Sequence, residues 1–125
     1  MEYDLPSKLV TSNRYLVRLA KSEKDLREAQ SLRYQVFNVE LGEGLDRSHD
    51  TKLDVDKYDP QCDHLLVVER DSENVIGTYR MQTYEAARLH HGFYTADEFE
   101  ISVLPDKFLN QSVEVGRACI HKDHR

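Results

Sequence analysis

The chain has 125 residues, 39% of them hydrophobic and 32% charged, which suits one domain with a modest core and excludes a disordered chain. A net charge of −6 argues against a dedicated nucleic-acid binder, which would carry a basic stripe. No apolar run is long enough to span a bilayer, the polar start MEYDLPSK has no signal-peptide core, and two cysteines make no disulfide framework, so the chain reads as cytoplasmic.

Residues 1–13 are a polar lead-in without a clear period, and Pro6 disfavours a regular element there. Residues 14–19 alternate and read as a first strand. Ser22, followed three residues later by Asp25, marks a helix start, and Gly42 a stop, so a helix is expected to about Leu41. At about 100° per residue, Leu26, Ala29, Leu32, Val36 and Phe37 share one apolar arc. Arg33 and Glu40 fall inside it. Ionisable groups on a buried face are costly unless paired, so they are either salt-bridged or lining a cleft. Residues 43–52 are polar and read as a mobile loop.

The stretch 53–68, LDVDKYDPQCDHLLVV, is the most informative. Asp54, Asp56, Asp59 and Asp63 run directly into an apolar strand, which would hold them in place. They read either as a site for a cationic or amine partner or as an acidic loop with a turn at Asp59-Pro60. Residues 63–70 and 75–83 form a hairpin across Asp71-Ser72-Glu73-Asn74. Ile76, Thr78 and Arg80 share one strand face. A helix-like segment (84–90) and an aromatic, acidic connection (92–99) follow, and Pro105 breaks any element there.

VEVGRACI (113–120) reads as a central strand. Under strict alternation Glu114 and Arg117 face opposite ways, and a bulge at Gly116 brings them together. Cys62-x-His64 and Cys119-x-His121 each place a thiol and an imidazole on one strand face. Together they could hold zinc, though the usual C-x-x-C spacing is missing. The preferred reading has no metal. His64 reads as a hydrogen-bonded packing residue.

Taken in order, LRYQVF with Glu40-Leu41-Gly42, DVDKYD, CDHLLV, IGTYR and EVGR with His121 resemble the ornithine–acyl carrier protein N-acyltransferases and their hemolysin-labelled relatives. These belong to the Gcn5-related N-acyltransferase superfamily. The set is also similar to acyl-homoserine-lactone synthases, from which Asp54 departs, since those enzymes carry glutamate there. The resemblance covers about residues 14–125. It implies an α/β (α+β) fold: a mixed, mostly antiparallel sheet with helices on its faces. It also implies that residues 14–125 are the N-terminal part of that domain, without the C-terminal donor-binding half.

The implied reaction is transfer of a fatty acyl group from an acyl carrier protein phosphopantetheine thioester, or acyl-CoA, to the amine of an amino acid such as ornithine. Alternatives are a homoserine-lactone-synthase-like enzyme and a non-catalytic binding module. No permanently bound cofactor is implied. Such transfer needs a base for the amine and donors for the oxyanion. Glu114 is the first candidate base, then Asp56 and Asp59. Arg33, Asp54, Arg80 and Arg117 are the substrate-binding candidates, because arginine holds a carboxylate in bidentate fashion. His121 and Arg125, at the start of the expected donor loop, are the donor-binding candidates. The same residues could be scaffold ion pairs. An acyl carrier protein is the implied partner, with peripheral inner-membrane contact through a lipid product and a homodimer left open.

Overall fold

The computed structural model describes residues 10–125. Its strands are β1 (Val10–Thr11), β2 (Tyr15–Leu19), β3 (Asp63–Glu69), β4 (Val75–Thr83) and β5 (Val113–Ile120). They form one sheet in chain order, with every pairing antiparallel. β1 falls within the expected lead-in and pairs through Val10 opposite Val17. The rest of that lead-in, residues 1–9 with Pro6, lies outside the described residues.

Helix α1 (Glu23–Tyr34) begins as its sequence suggests. Ser22 is extended, and its hydroxyl accepts the Asp25 backbone N–H at 3.1 Å. Asp25 in turn receives two hydrogen bonds from Arg18 on β2, at 2.7 and 2.9 Å, which ties the helix start to the sheet. The apolar face of α1 then packs on the sheet. Ala29 meets Leu66 and Val68, while Leu32 and Val36 meet Cys119.

The helix does not continue to Leu41 as a regular α-helix. Residues Gln35–Glu40 widen into a π-helical turn, with Leu41 N–H donating to Val36 at 3.0 Å, before Gly42 (φ +66°) ends it. This underwinding corrects one expectation. Glu40 is rotated off the buried face and pairs at the surface with Arg125 at 2.5 Å. Asn38 is turned inward instead, and its amide donates to the Leu45 carbonyl at 2.8 Å. The loop that follows, residues 43–52, bonds back to the helix. It contains the short helix α2 (Ser48–Thr51), with Ser48 buried and His49 hydrogen-bonded to the Tyr34 hydroxyl.

The sheet face under α1 grades from apolar to polar along the strands. On β4 it runs Ile76, Thr78, Arg80, Gln82, all 6% exposed or less. The opposite face is more open, with Tyr79, Val113, Val115 and Ile120 exposed. After β4 come α3 (Tyr84–Leu89) and, behind Pro105, α4 (Asp106–Asn110). No helix among the described residues is long and apolar enough to cross a membrane.

β5, read from the sequence as a central strand, pairs among the described residues only with β4. Its bulge is real. Arg80 lies opposite Gly116 but Thr78 lies opposite Cys119, so β5 holds one extra residue. Arg117, at φ +50°, takes the left-handed conformation that allows this. The extra residue flips the alternation. Glu114 and Arg117 consequently reach the same, α1-covered face.

Leu66 is fully buried between α1 and the sheet. Leu66→Ala should lower unfolding stability by about 3 kcal/mol in urea titrations, with little change in the slope.

Candidate functional site

Where the buried face turns polar, three aspartates and three arginines meet. The backbone of 54–61 puts the acids there. Asp54 N–H donates to the Gln30 carbonyl of α1 at 3.0 Å. The Asp56 carboxylate then accepts the N–H groups of Tyr58 and Asp59 at 2.9 and 3.2 Å, closing an Asx turn. A single turn of 3-10 helix, Asp59–Gln61, follows with Pro60 in its first turn.

Arg33 is wholly buried. Its Nε donates to Asp54 Oδ2 at 2.7 Å, and its two terminal nitrogens donate to Asp59 at 3.0 and 2.8 Å. Nη2 also contacts the Asp54 carbonyl. Arg80 reaches both oxygens of Asp56 at 2.7 Å and Asp59 Oδ1 at 2.9 Å. Arg117 pairs with Asp54 Oδ1, its guanidinium 4.6 Å from the centre of the Phe37 ring. Gln30 completes the set with a 3.0 Å bond to Asp59. His64 Nε2 donates to the Asp59 carbonyl at 2.9 Å, and burial, against the pull of Asp59, keeps its ring neutral.

Burial opposes the charge on Asp59. The hydrogen bonds and charge of Arg33, helped by Gln30 and Arg80, outweigh it and hold the carboxyl down at about 2. Burial likewise works against Arg80, but Asp56 and Asp59 raise it above the ordinary arginine value. A carboxylate clamped this way organises charge and is a poor proton acceptor.

Glu114 sits next to this cluster. Its Oε1 accepts from Gln82 Nε2 at 2.7 Å and Tyr94 N–H at 3.1 Å. Its Oε2 accepts from Thr95 N–H at 2.8 Å and the Thr95 hydroxyl at 2.5 Å. The carboxylate thereby anchors the turn Tyr94–Asp97. The Tyr94 ring lies over Arg80, 5.1 Å from ring centre to guanidinium, and its hydroxyl donates to the Val115 carbonyl at 2.8 Å. Tyr94 crosses β5 where Gly116 has no side chain, and a Cβ there would overlap its hydroxyl.

The structure thus gathers Arg33, Asp54, Asp56, Asp59, Arg80 and Arg117 into one network, with Glu114 beside it. His121 and Arg125 lie elsewhere, toward the other end of β4. His121 N–H bonds to the Ile76 carbonyl at 2.7 Å, and Arg125 pairs with Glu40. The two Cys-x-His pairs do not come together: among the described residues no three His, Cys, Asp or Glu side chains are grouped as metal ligands. Burial pushes the Cys62 thiol up to about 12 and Cys119 to about 11, so both remain protonated.

Five contributors escaped the sequence reading: Gln30, Tyr58, Gln82, Tyr94 and Thr95. Two carried a usable signal. Gln30 precedes Arg33 by three on the same helix face, and Gln82 follows Arg80 by two on the same strand face. The other three reach the site only through the fold of their loops.

Residues 32–125 match the acetyltransferase (GNAT) domain family. The chain is 40% identical over 115 residues to the L-ornithine N(alpha)-acyltransferase of Agrobacterium fabrum, covering 86% of this chain and 39% of that protein. It is 35% identical over 117 residues to the one of Rhodobacter capsulatus, covering 89% and 45%. The chain therefore spans about two-fifths of the length of these curated relatives. Its fold also matches the crystal structure of the AHL synthase LasI, with a TM-score of 0.56 and 22% identity, over 89% of this chain and 55% of that one.

Asp59 has a depressed folded pKa, so the stability it contributes is present above its ordinary value of 3.8 and is lost as pH falls toward 2. Asp59→Asn should cost about 3 kcal/mol at neutral pH, because two buried arginines lose a charge partner. It should also flatten the fall in stability between about pH 4 and 2, read from urea midpoints across that range.

Proposed function

Because this chain belongs to the acetyltransferase (GNAT) domain family, we propose that it forms the acceptor side of an N-acyltransferase acting on an amino acid such as ornithine. The acyl donor in this reading is an acyl carrier protein phosphopantetheine thioester or acyl-CoA. The observation that carries it is the 40% identity, over most of the chain, to a protein named L-ornithine N(alpha)-acyltransferase. The charge balance of the site agrees. Three arginines offset Asp54, Asp56 and Asp59, so Glu114 adds a negative charge with no cation among its partners. A cationic amine acceptor suits such a wall.

In this reading the network splits into scaffold and working groups. Arg33, Asp54 and Asp59 are saturated within the network and hold the loop. Arg117, the most exposed of the three arginines and joined to Asp54 through Nη2 alone, is the group that binds the acceptor carboxylate. Glu114 is the base that takes the proton from the α-ammonium, directly or through water, once the Thr95 hydroxyl rotates away from Oε2. Asp56 and Asp59, fully engaged by arginine, keep that reaction's surroundings fixed. The amine nitrogen then attacks the thioester carbonyl, and the tetrahedral oxyanion collapses to the amide with loss of the thiol. Backbone N–H groups of β5 on the side away from β4 are suited to holding that oxyanion. His121 and Arg125 begin the donor side, where a phosphate-bearing arm would meet positive charge. The protein works in the cytoplasm, and a lipid product brings it to the membrane surface.

The expressed gene product should release free thiol from an acyl carrier protein thioester only when ornithine is added. Glu114→Gln should reduce the rate by about 100-fold or more while the circular dichroism spectrum is retained. Arg117→Ala should chiefly raise the KM for ornithine. Thiol release that ignores the amine, or wild-type rates in Glu114→Gln, would overturn the assignment.

A further inference from the structure

The wall around Arg80 contains a fifth carboxylate whose chemistry the transfer step does not use. Asp97 stands at the end of the turn that Glu114 anchors. Its Oδ2 accepts the Tyr58 hydroxyl at 2.6 Å. Tyr58 is buried, 5% exposed, and is itself fixed by the 2.9 Å bond from its N–H to Asp56. Its ring lies edge-on to Tyr94 at 6.1 Å and has Arg80 5.9 Å from its centre. Burial and the Asp97 hydrogen bond push the Tyr58 hydroxyl up to about 12, so it remains a donor.

The carboxylates around the site differ in what they have left to offer. Both oxygens of Asp54, Asp56 and Asp59 are taken by arginine nitrogens. Both oxygens of Glu114 are taken by neutral donors. Asp97 alone keeps an oxygen, Oδ1, that receives no hydrogen bond among the described residues. No cation among them stands within salt-bridge distance of it, and the residue is open to solvent. It is an uncompensated carboxylate held by the buried Tyr58, on the turn that Glu114 anchors beside the site.

We propose that Asp97 is the specificity-determining residue that binds the side-chain ammonium of a diamino acid acceptor, with Tyr58 as the residue that positions it. This rests on the acceptor reading above. The α-carboxylate meets Arg117 and the α-amine meets Glu114, so the remaining positive group of ornithine needs an anion with a free lone pair. A site that supplies such a partner discriminates against an analogue lacking the group.

The test is calorimetric titration of the full chain with ornithine and with 2-aminopentanoate, which lacks only the terminal amine. The wild-type chain should bind ornithine about tenfold more tightly. That ratio should fall to near one in Asp97→Asn and shrink in Tyr58→Phe, while Glu98→Gln, a neighbouring charge outside the site, keeps it. An unchanged ratio in Asp97→Asn overturns the assignment of Asp97 and leaves acyl transfer standing. A collapsed ratio alongside absent thiol release for any amine supports Asp97 and overturns acyl transfer. A wild-type chain that binds neither amino acid overturns both.

Discussion

Arg33 enters the protein on the apolar face of α1, where a charge cannot remain without partners. It is matched by two aspartates from a loop more than twenty residues away and by a backbone carbonyl of that loop. Once Arg33 fixes Asp54 and Asp59, these two carboxylates position the other two arginines, Arg117 and Arg80, which arrive from β5 and β4. A helix, a loop and two strands are thus locked by one buried charge arrangement. A buried network of this kind is a poor source of net stability, since desolvation consumes most of the attraction. Its value lies in geometry. A bidentate guanidinium restricts where its carboxylates can sit, so it fixes the path of the loop.

The bulge on β5 is the second constraint, and it depends on the first. A non-glycine residue at φ +50° is disfavoured, and Arg117 adopts it where its guanidinium gains Asp54 and the face of Phe37. Phe37 is available because the helix has already widened into its π-helical turn. The missing side chain at Gly116 matters for a different reason: it lets Tyr94 cross the strand and cover Arg80. Two adjacent residues therefore shape one feature, one by reaching in and one by leaving space.

Charge partition follows from these contacts. The arginines neutralise the three aspartates of the 54–59 loop, and the remaining negative groups, Glu114 and Asp97, are held by neutral donors. Neutral donors fix a carboxylate without cancelling its field, so the wall stays attractive to a cation. That is the electrostatic form an amine-binding cleft needs, and it arises within a chain whose net charge is already −6.

Residue type and spacing alone determined strands β2 to β5, the hairpin, the capped start of α1 and the family resemblance, because periodicity and turn chemistry are local. They also marked Arg33 and Arg80 as charges on buried faces, and Glu114 with Arg117 as partners if β5 carried a bulge. Three things were decided only by tertiary structure. Helix underwinding turned Glu40 outward and Asn38 inward, because a π-helical turn depends on packing against the following loop and leaves no period in the sequence. Asp59 became an organiser with a depressed pKa, because the count of arginines around a carboxylate is a property of three-dimensional neighbours. Tyr58, Tyr94, Thr95 and Asp97 joined the site through irregular segments, whose paths are set by the side chains they reach across the fold rather than by their own order in the chain.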